Sequence, residues 1–404
     1  MITQTNIIPK SIYLDYHATT PTDLRAASFV MRYMTEEFGN ASSADHVFGD
    51  NAEDVVLYSA RQVSELISSS PKEVVFTSGG TESINLAIQG TITTNRSYRI
   101  AVLSTEHKAV LDTCSALSRR GIVEITFLKV DSQARLDLDN LEKVCSDGID
   151  LLCVMAANNE VGTVYPIQQI GRIAQQYGIP FLCDGSQAVG KIPLNFTKWG
   201  ITYLAISGHK LYAPKGVGAL IIKKGQKLEP LIYGGGHQRG IRSGTLNVPG
   251  IVGLGEACRL RFMEMVEDEQ RIAQQRDRLQ QLLQQGIPDL VVNGDQEHRL
   301  AGNLHISIPG IPNSAVIARV RHQLAISTGS ACSSGVEAPS HVLQAMRLPE
   351  AVIEGALRIG LGKFTTDEEV EQAAEILLNA VAGIRSALNR SHTDEPVSPS
   401  APRR

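Results

Sequence analysis

The sequence predicts an α/β protein in which a large, mostly parallel sheet domain is joined to a smaller α/β domain. Over about residues 52–220, short apolar runs rich in β-branched residues alternate with stretches of helical period. A polar–apolar helix near residues 266–285 then precedes a second, smaller segment in which predicted strands and helices alternate. Such alternation is typical of a parallel sheet covered by helices, whose ligands gather at the carboxyl ends of the strands.

The elements follow one another in a regular order along the chain. The predicted strands of the large sheet include residues 73–76, 100–103, 151–155 and 180–183. In the smaller alternation we expect a strand over residues 304–308 and a helix near residues 313–322. Polar residues directly after these strands are therefore the first candidates for a functional site.

Length and composition indicate two domains in one soluble chain. With 404 residues, of which 43% are hydrophobic and 20% charged, the chain has ample material for a sizeable core. A net charge of -4 without a long basic run argues against direct binding of nucleic acid. No apolar run is long enough to span a membrane, and no secretory leader pattern opens the sequence, so we expect a cytoplasmic protein.

Domain boundaries follow from the same pattern. We expect residues 16–262 to form the large domain, and residues 1–15 together with 263–388 to form the small domain. A final helix is expected to end near Leu388. The remaining residues, 389–404, are rich in Ser, Pro and charge and predict a disordered tail, because they offer little apolar surface to offset the entropy of ordering.

A glycine pair marks a candidate phosphate site. Residues 76–82 read Phe-Thr-Ser-Gly-Gly-Thr-Glu, a strand end followed by the start of a helix that runs through Leu86. Backbone N–H groups at a helix start attract anions, Gly80 allows a phosphate to approach closely, and Thr81 adds a hydroxyl donor. A simple strand-to-helix turn capped by Thr81 is the alternative, and this segment taken alone favours it.

Two further strand ends carry ionisable residues. Asp184 follows one apolar run, where a buried carboxylate needs a cationic partner such as a pyridinium nitrogen, or serves as a helix N-cap. Ser207, His209 and Lys210 follow another run. A lysine that acts as a nucleophile needs burial or neighbouring charge to lower its pKa, whereas the plain alternative is a surface lysine.

A phosphate cradle, an aspartate and a lysine, each after a strand, occur in the order found in the aspartate-aminotransferase-like fold, fold type I of pyridoxal-phosphate enzymes. From Tyr13 to about Thr366 the chain resembles the NifS/IscS-type cysteine desulfurases of the class V aminotransferase family. The matching segments are residues 13–16, 18–21, 77–83, 105–110, 158–162, 207–210, 242–245 and 329–334.

The resemblance implies an enzyme that uses pyridoxal 5'-phosphate to convert L-cysteine to L-alanine. The sulfur would be held as a persulfide on Cys332 and passed to an acceptor protein, for iron–sulfur cluster assembly or for thiolation of nucleic acid. A selenocysteine lyase or an aminotransferase of the same fold is the alternative, although neither needs Cys332 in a run of small residues. No metal is expected, because no Cys pair has metal-ligand spacing.

The same resemblance assigns cofactor contacts. Lys210 would carry the cofactor covalently, His107 would stack on its ring, Asp184 would hold the pyridine nitrogen and Gln187 would bond the phenolic oxygen. The phosphate would be held by the cradle and the strand end after it, through Gly80, Thr81, Ser207 and His209.

Two further assignments concern the substrate and a second subunit. Asn159 and Arg358 would take the substrate carboxylate, Arg358 through its planar guanidinium. Thr245 would reach the phosphate of the neighbouring subunit, which implies a homodimer with shared active sites.

The cysteines divide into two groups. Cys332 lies in a run of small residues, Gly-Ser-Ala-Cys-Ser-Ser-Gly, which favours exposure and reactivity; a plain turn cysteine is the alternative. Cys114, Cys153, Cys183 and Cys258 are interpreted as core.

Three positions depart from the pattern of the family. His17 stands where asparagine is usual, Ala41 where proline is common, and Gln238 where glutamate is common. We expect none of the three to touch the central chemistry. The tail also lacks a recognisable sequence for docking a scaffold protein.

Overall fold

The computed structural model describes residues 11–93, 96–329 and 339–393. The strands are β1 (Ile12–Tyr13), β2 (Val74–Thr77), β3 (Tyr98–Leu103), β4 (Val123–Leu128), β5 (Leu151–Cys153), β6 (Phe181–Asp184), β7 (Tyr203–Ser207), β8 (Gly218–Ile222), β9 (Val291–Val292), β10 (Asn303–Ser307), β11 (Leu324–Ala325) and β12 (Ala356–Gly360).

The helices alternate with the strands, as predicted. They are α1 (Leu24–Thr35), α2 (Val47–Ile67), α3 (Gly80–Thr91), α4 (Lys108–Arg119), α5 (Leu138–Ser146), α6 (Ile167–Gln176), α7 (Val248–Gly286), α8 (Asn313–Val320), α9 (His341–Ala345), α10 (Glu350–Glu354) and α11 (Asp367–Thr393). None of the helices in the described part of the chain is long and apolar enough to cross a membrane.

A large, mostly parallel sheet dominates the structure and confirms the predicted fold class. In the described part of the chain it has seven strands in the order β2-β8-β7-β6-β5-β3-β4. Only β8 runs antiparallel to its neighbours. Its central strands are buried along their whole length, which suits a sheet covered on both faces. The parallel pair β6 and β7 therefore ends on the same edge of the sheet, directly after Asp184 and Ser207.

A second core packs around three strands in the order β12-β10-β9. It gathers Leu304, Leu357 and the apolar face of α11, and it also receives Ile12 and Leu14 from the start of the chain. Residues from the start of the chain and residues from its last helix therefore share this small core. The predicted division at residue 263 stays a prediction, because α7 crosses it without a break.

Two helix limits differ from the sequence prediction. Helix α7 begins at Val248 instead of near residue 266 and runs for 39 residues. Its first half is buried against α1 and α2, and a Cβ at Gly255 would lie 2.9 Å from the Cα of Ser59. Tertiary packing therefore holds a glycine-containing stretch in a helix despite the low helix propensity of glycine.

The last helix continues past Leu388 to Thr393. The prediction of a disordered tail from residue 389 therefore places the start of the tail too early. Arg390 donates a hydrogen bond to Ser386 one turn earlier, and adding residues to an existing helix costs little compared with starting one. Residues 394–404, the rest of that predicted tail, lie outside the described residues.

The buried sheet generates a stability prediction. Phe181 is fully buried in β6, whereas Phe127 in the outer strand β4 is 51% exposed. Phe181→Ala is expected to lower the free energy of unfolding by about 3–5 kcal/mol, because it leaves a cavity between sheet and helices. Phe127→Ala is the matched control and is expected to cost about 0.5 kcal/mol. Urea unfolding followed by circular dichroism measures both, and equal losses would contradict the placement of the core.

Candidate active site

A cavity of about 730 Å³ opens at the carboxyl ends of β6 and β7. The structure brings most of the sequence-predicted site residues together in its lining: Gly80, Thr81, His107, Asn159, Asp184, Gln187, Ser207, His209, Lys210 and Arg358. Cys332 lies outside the described residues. These predicted site residues therefore lie together in the fold, although they come from distant stretches of the chain.

The start of α3 forms one wall of this cavity. No side chain caps the first turn of the helix, so backbone N–H groups at Gly80 and Thr81 are left for another acceptor. A Cβ at Gly80 would lie 2.9 Å from Oγ of Ser186 and 3.3 Å from Cβ of Ser207. Glycine avoids pressing on these two side chains, and the result is an uncapped helix start next to two hydroxyl groups, which is a suitable site for a phosphate.

Lys210 ends a single 3-10 turn, Gly208–Lys210, that follows β7. Its Nζ atom donates hydrogen bonds of 2.6 and 2.7 Å to the carbonyl oxygens of His17 and Ala18. Burial lowers the pKa of Lys210 to about 7, and the cations Lys191 and Arg358 act in the same direction. A lysine with this pKa is partly neutral at physiological pH and can act as a nucleophile.

Asp184 is the last residue of β6, and its side chain is 6% exposed. Its Oδ1 atom accepts a hydrogen bond of 2.9 Å from the backbone N–H of Ser186. The segment that follows is a turn and not a helix, so Asp184 is not a helix N-cap. A buried carboxylate in a cavity is a suitable partner for a cationic ring nitrogen.

Both predicted histidines line the cavity, and they have different hydrogen-bond partners. His107 is the N-cap of α4, and its Nδ1 atom accepts a hydrogen bond of 3.1 Å from the N–H of Ala109. The Nδ1 atom of His209 lies 3.1 Å from Oγ1 of Thr19. Burial lowers the pKa of His209 to about 4, with Lys210 acting in the same direction, so His209 is neutral at physiological pH.

Arg358 already has a carboxylate partner, which sequence reasoning missed. Its Nη2 atom lies 2.9 Å from Oδ1 of Asp15, and its Nη1 atom donates to the carbonyl oxygen of Asn159 at 3.2 Å. Burial raises the pKa of Asp15, although Arg358 acts in the opposite direction. The acidic residue within Tyr-Leu-Asp-Tyr was the only available signal, and it does not indicate that β1 and β12 converge.

The expectation that His17 stays apart from the central chemistry is wrong. Its carbonyl oxygen accepts from Lys210, and its Nδ1 atom lies 3.2 Å from Oε1 of Gln187. Lys191, to which the sequence assigned no role, also donates to that Oε1 atom at 3.0 Å. The signal that could have found Lys191 is its spacing of four residues from Gln187.

The other departures lie away from the cavity lining. The side-chain amide of Gln238 bonds the backbone of Phe76 twice, accepting at 2.6 Å from its N–H and donating at 2.8 Å to its carbonyl oxygen. A glutamate could not make the second bond at neutral pH, because it has no donor. Ala41 packs beside Val248 and Val252, and nothing in the structure explains why it replaces proline.

Thr245 is exposed and does not line this cavity. The segment before it is fixed to α3, because Arg242 donates to Glu82 at 2.8 Å. Thr245 is therefore held near the helix start, with its side chain accessible from outside the subunit.

The five cysteines in the described residues are unpaired and buried: Cys114, Cys145, Cys153, Cys183 and Cys258. The prediction that four of them belong to the core is confirmed. Burial raises the pKa of the thiols of Cys153, Cys183 and Cys258, which disfavours the reactive thiolate.

Comparison with known proteins gives consistent results. Residues 12–373 match the family model "Aminotransferase class-V". The chain is 42% identical over 378 residues to cysteine desulfurase IscS of Anaeromyxobacter sp. (strain Fw109-5), covering 93% of each chain. It is 43% identical to cysteine desulfurase IscS of Ehrlichia chaffeensis, covering 93% of this chain and 92% of that relative.

Solved structures agree with these relatives. The chain resembles a "NIFS-LIKE PROTEIN" with a TM-score of 0.86 and 33% identity, over 92% of this chain and 99% of that one. It resembles the NifS-like protein from Rickettsia africae with a TM-score of 0.83 and 29% identity, over the same shares. A structure titled "SspA in complex with cysteine" matches with a TM-score of 0.75 and 29% identity, over 88% of this chain and 100% of that one.

The lowered pKa of Lys210 is testable. In protein stripped of bound aldehydes, modification of Lys210 by an amine-selective reagent is expected to rise with pH through a midpoint of about 7, because only the neutral amine reacts. Arg358→Met removes a neighbouring cation and is expected to move this midpoint upward. Peptide mass spectrometry after short labelling pulses measures both variants, and a wild-type midpoint near the ordinary lysine value of about 10.4 would contradict the burial of this amine.

Proposed function

Since the chain belongs to the class V aminotransferase family and is a pyridoxal-phosphate-dependent cysteine desulfurase, we propose that sulfur from free cysteine leaves the cavity as a persulfide on Cys332. The observation that carries this proposal is the convergence of Lys210, Asp184 and the uncapped start of α3 on one cavity.

The residues of the cavity fit pyridoxal phosphate. The uncapped N–H groups at Gly80 and Thr81, with Ser207 and neutral His209, would hold its phosphate. Asp184 would hold its ring nitrogen. The bound cofactor supplies an electron sink for the electron pair released at the substrate Cα.

The ring itself would be held by two further side chains. His107 would stack on the ring, and Gln187 would bond the phenolic oxygen. Lys210 would carry the cofactor. A pKa of about 7 would also suit Lys210 to accept a proton from the substrate Cα and to return it.

We propose that Arg358 and the side chain of Asn159 bind the substrate carboxylate. In the structure the Nη2 atom of Arg358 contacts Asp15 and its Nη1 atom donates to the carbonyl oxygen of Asn159, whereas its buried Nε atom has no partner in the described part of the chain. An incoming carboxylate would compete with Asp15 for this guanidinium, and burial, which raises the pKa of Asp15, disfavours its charged form.

The sulfur step needs a soft nucleophile. The Cys332 thiolate would attack the substrate sulfur, so that an S–S bond forms, the C–S bond breaks and the electron pair remains on the carbon fragment. That fragment takes up protons and leaves as alanine. One thiol and one cysteine give one persulfide and one alanine, so the step needs no external oxidant. The selenocysteine-lyase and aminotransferase alternatives are not favoured by the named relatives.

A persulfide needs an acceptor, and the enzyme passes its sulfur to acceptor proteins. The relatives named IscS support a pathway of iron–sulfur cluster assembly, with thiolation of nucleic acid as the second candidate. The unpaired thiols of the described cysteines fit a reducing compartment, which supports a cytoplasmic location. Mixed disulfides trapped on Cys332 in cell extracts identify the acceptor.

We further propose a homodimer with shared active sites. Helices α1 and α7 pack together and present exposed apolar side chains, among them Leu24, Met34, Phe262 and Val266. A second copy that covers this face would bury apolar surface and complete the fold. Exposed Thr245 would then reach the phosphate of the partner's cavity.

Cys332→Ser separates sulfur transfer from the earlier steps. The variant is expected to keep the cofactor colour and to change its visible spectrum when cysteine is added, because Lys210, Asp184 and His107 are intact. Alanine production is expected to fall to background, since an alcohol of far higher pKa does not attack sulfur. Mass spectrometry of the wild type is expected to find one added sulfur on the peptide containing Cys332.

The matched control is Cys145→Ser in helix α5, away from the cavity lining. This variant is expected to make alanine at the rate of the wild type. Full alanine production by Cys332→Ser would refute the persulfide mechanism.

Thr245→Ala tests the shared site. Loss of a hydroxyl donor to a charged phosphate is expected to weaken cofactor binding by about tenfold or more, which corresponds to about 1.5–3 kcal/mol. Thr245→Ser keeps the donor and is expected to bind like the wild type. Cofactor release during serial dilution, measured together with mass by light scattering, is expected to follow dissociation of the dimer. A monomer that retains its full colour would argue against the shared site.

A further inference from the structure

The side-chain amide of Gln187 is held on both of its polar atoms. Its Nε2 atom donates a hydrogen bond of 2.9 Å to the carbonyl oxygen of His17. Its Oε1 atom lies 3.2 Å from Nδ1 of His17 and accepts a hydrogen bond of 3.0 Å from Nζ of Lys191. Gln187 is 4% exposed, so water does not compete for these contacts.

These contacts fix the direction of the amide. Lys191 can only donate a hydrogen bond, and a backbone carbonyl can only accept one. If the Gln187 amide rotated by half a turn, its Nε2 donor would face the Lys191 donor, and its Oε1 acceptor would face the carbonyl oxygen of His17. Because an amide oxygen only accepts, the Nδ1 atom of His17 carries the imidazole proton. Nε2 of Gln187 has two N–H groups, and one remains for the cavity that Gln187 lines.

Lys191 places a cation behind this amide. Two charged residues of α7 act on Lys191: Glu269 attracts its ammonium group and Arg261 repels it. Arg358 in β12 repels it as well. Burial lowers the pKa of Lys191, with Glu269 opposing that effect. His17 is 2% exposed, and its pKa is lowered by burial and then by Lys191, Arg358 and Lys210, so it stays neutral.

We propose that Lys191 and His17 are positioning residues that fix the Gln187 amide with an N–H toward the phenolic oxygen of the cofactor, and that through it they set the proton affinity of the nitrogen joining Lys210 to the cofactor. This inference rests on the proposed role of Gln187. Neither residue needs to touch the cofactor, since Lys191 holds the oxygen end of the amide and His17 holds both ends.

The direction of the effect follows from competition for one oxygen. In the resting enzyme the phenolic oxygen can share the proton of the nitrogen on Lys210 or accept a hydrogen bond from Gln187. A donor polarised by the Lys191 ammonium withdraws electron density from that oxygen, and the nitrogen then loses its proton at lower pH. Removing the cation is expected to raise the pH at which this proton leaves.

The experiment is a pH titration of the visible absorbance of the resting holoenzyme, without substrate. Lys191→Met is expected to raise the midpoint by roughly one pH unit. Lys191→Gln removes the same charge with a polar side chain and is expected to shift in the same direction. His17→Leu is also expected to raise the midpoint, but by less than Lys191→Met, because it removes one of the two donors to the amide oxygen. His17→Asn keeps an N–H donor for the amide oxygen and is expected to stay close to the wild type.

A double-variant comparison tests the route of the effect. Gln187→Leu alone is expected to raise the midpoint, and Lys191→Met in that background is expected to add nothing, because its influence passes through the amide. Equal added shifts in both backgrounds would overturn the inference and mean that Lys191 acts directly. Wild-type midpoints in Lys191→Met and His17→Leu, with a shifted Gln187→Leu, would also overturn it.

One outcome points elsewhere. If Gln187→Leu itself leaves the midpoint unchanged, the assignment of Gln187 to the phenolic oxygen fails, and the inference fails with it. Cofactor content, read from the same spectra, distinguishes an altered midpoint from loss of the cofactor.

Discussion

Burial of several cations around one cavity is the constraint on which the site depends. Burial lowers the pKa of Lys210, the cations Lys191 and Arg358 act in the same direction, and two carboxylates, Asp15 and Asp184, oppose them. Releasing a proton relieves the cost of burying a charged amine among other cations, and the pKa of Lys210 therefore falls to about 7. A phosphate and a substrate carboxylate would compensate the same cations, so the arrangement favours anionic ligands and a neutral amine together.

The sequence predicted the parts of the site that follow strands. Asp184 and Lys210 were found because the carboxyl ends of parallel strands meet at one edge, so residues after separate apolar runs become neighbours. Asp15, His17 and Lys191 were not assigned a role. Contacts such as His17 with Gln187 join residues 170 positions apart, and no local pattern indicates which distant segment completes a cavity.

The same limit explains the differences in the fold. The second half of α7 has a helical period that the sequence reveals, whereas its first half contains glycines, which weaken a prediction made from propensity. That half is helical because α2 packs so closely that a side chain at Gly255 would meet Ser59. The alternation of strands and helices, in contrast, was predictable because each element buries its own apolar residues.

Gln238 affects how the edge of the large sheet can pair with other chains. Strand β2 is one of the two outer strands of the large sheet in the described part of the chain, and an outer strand offers N–H and carbonyl groups to another extended chain. The Gln238 amide occupies both groups of Phe76, in the way that a neighbouring strand would. An intruding strand would have to displace it, so this side chain protects the sheet against edge-to-edge aggregation.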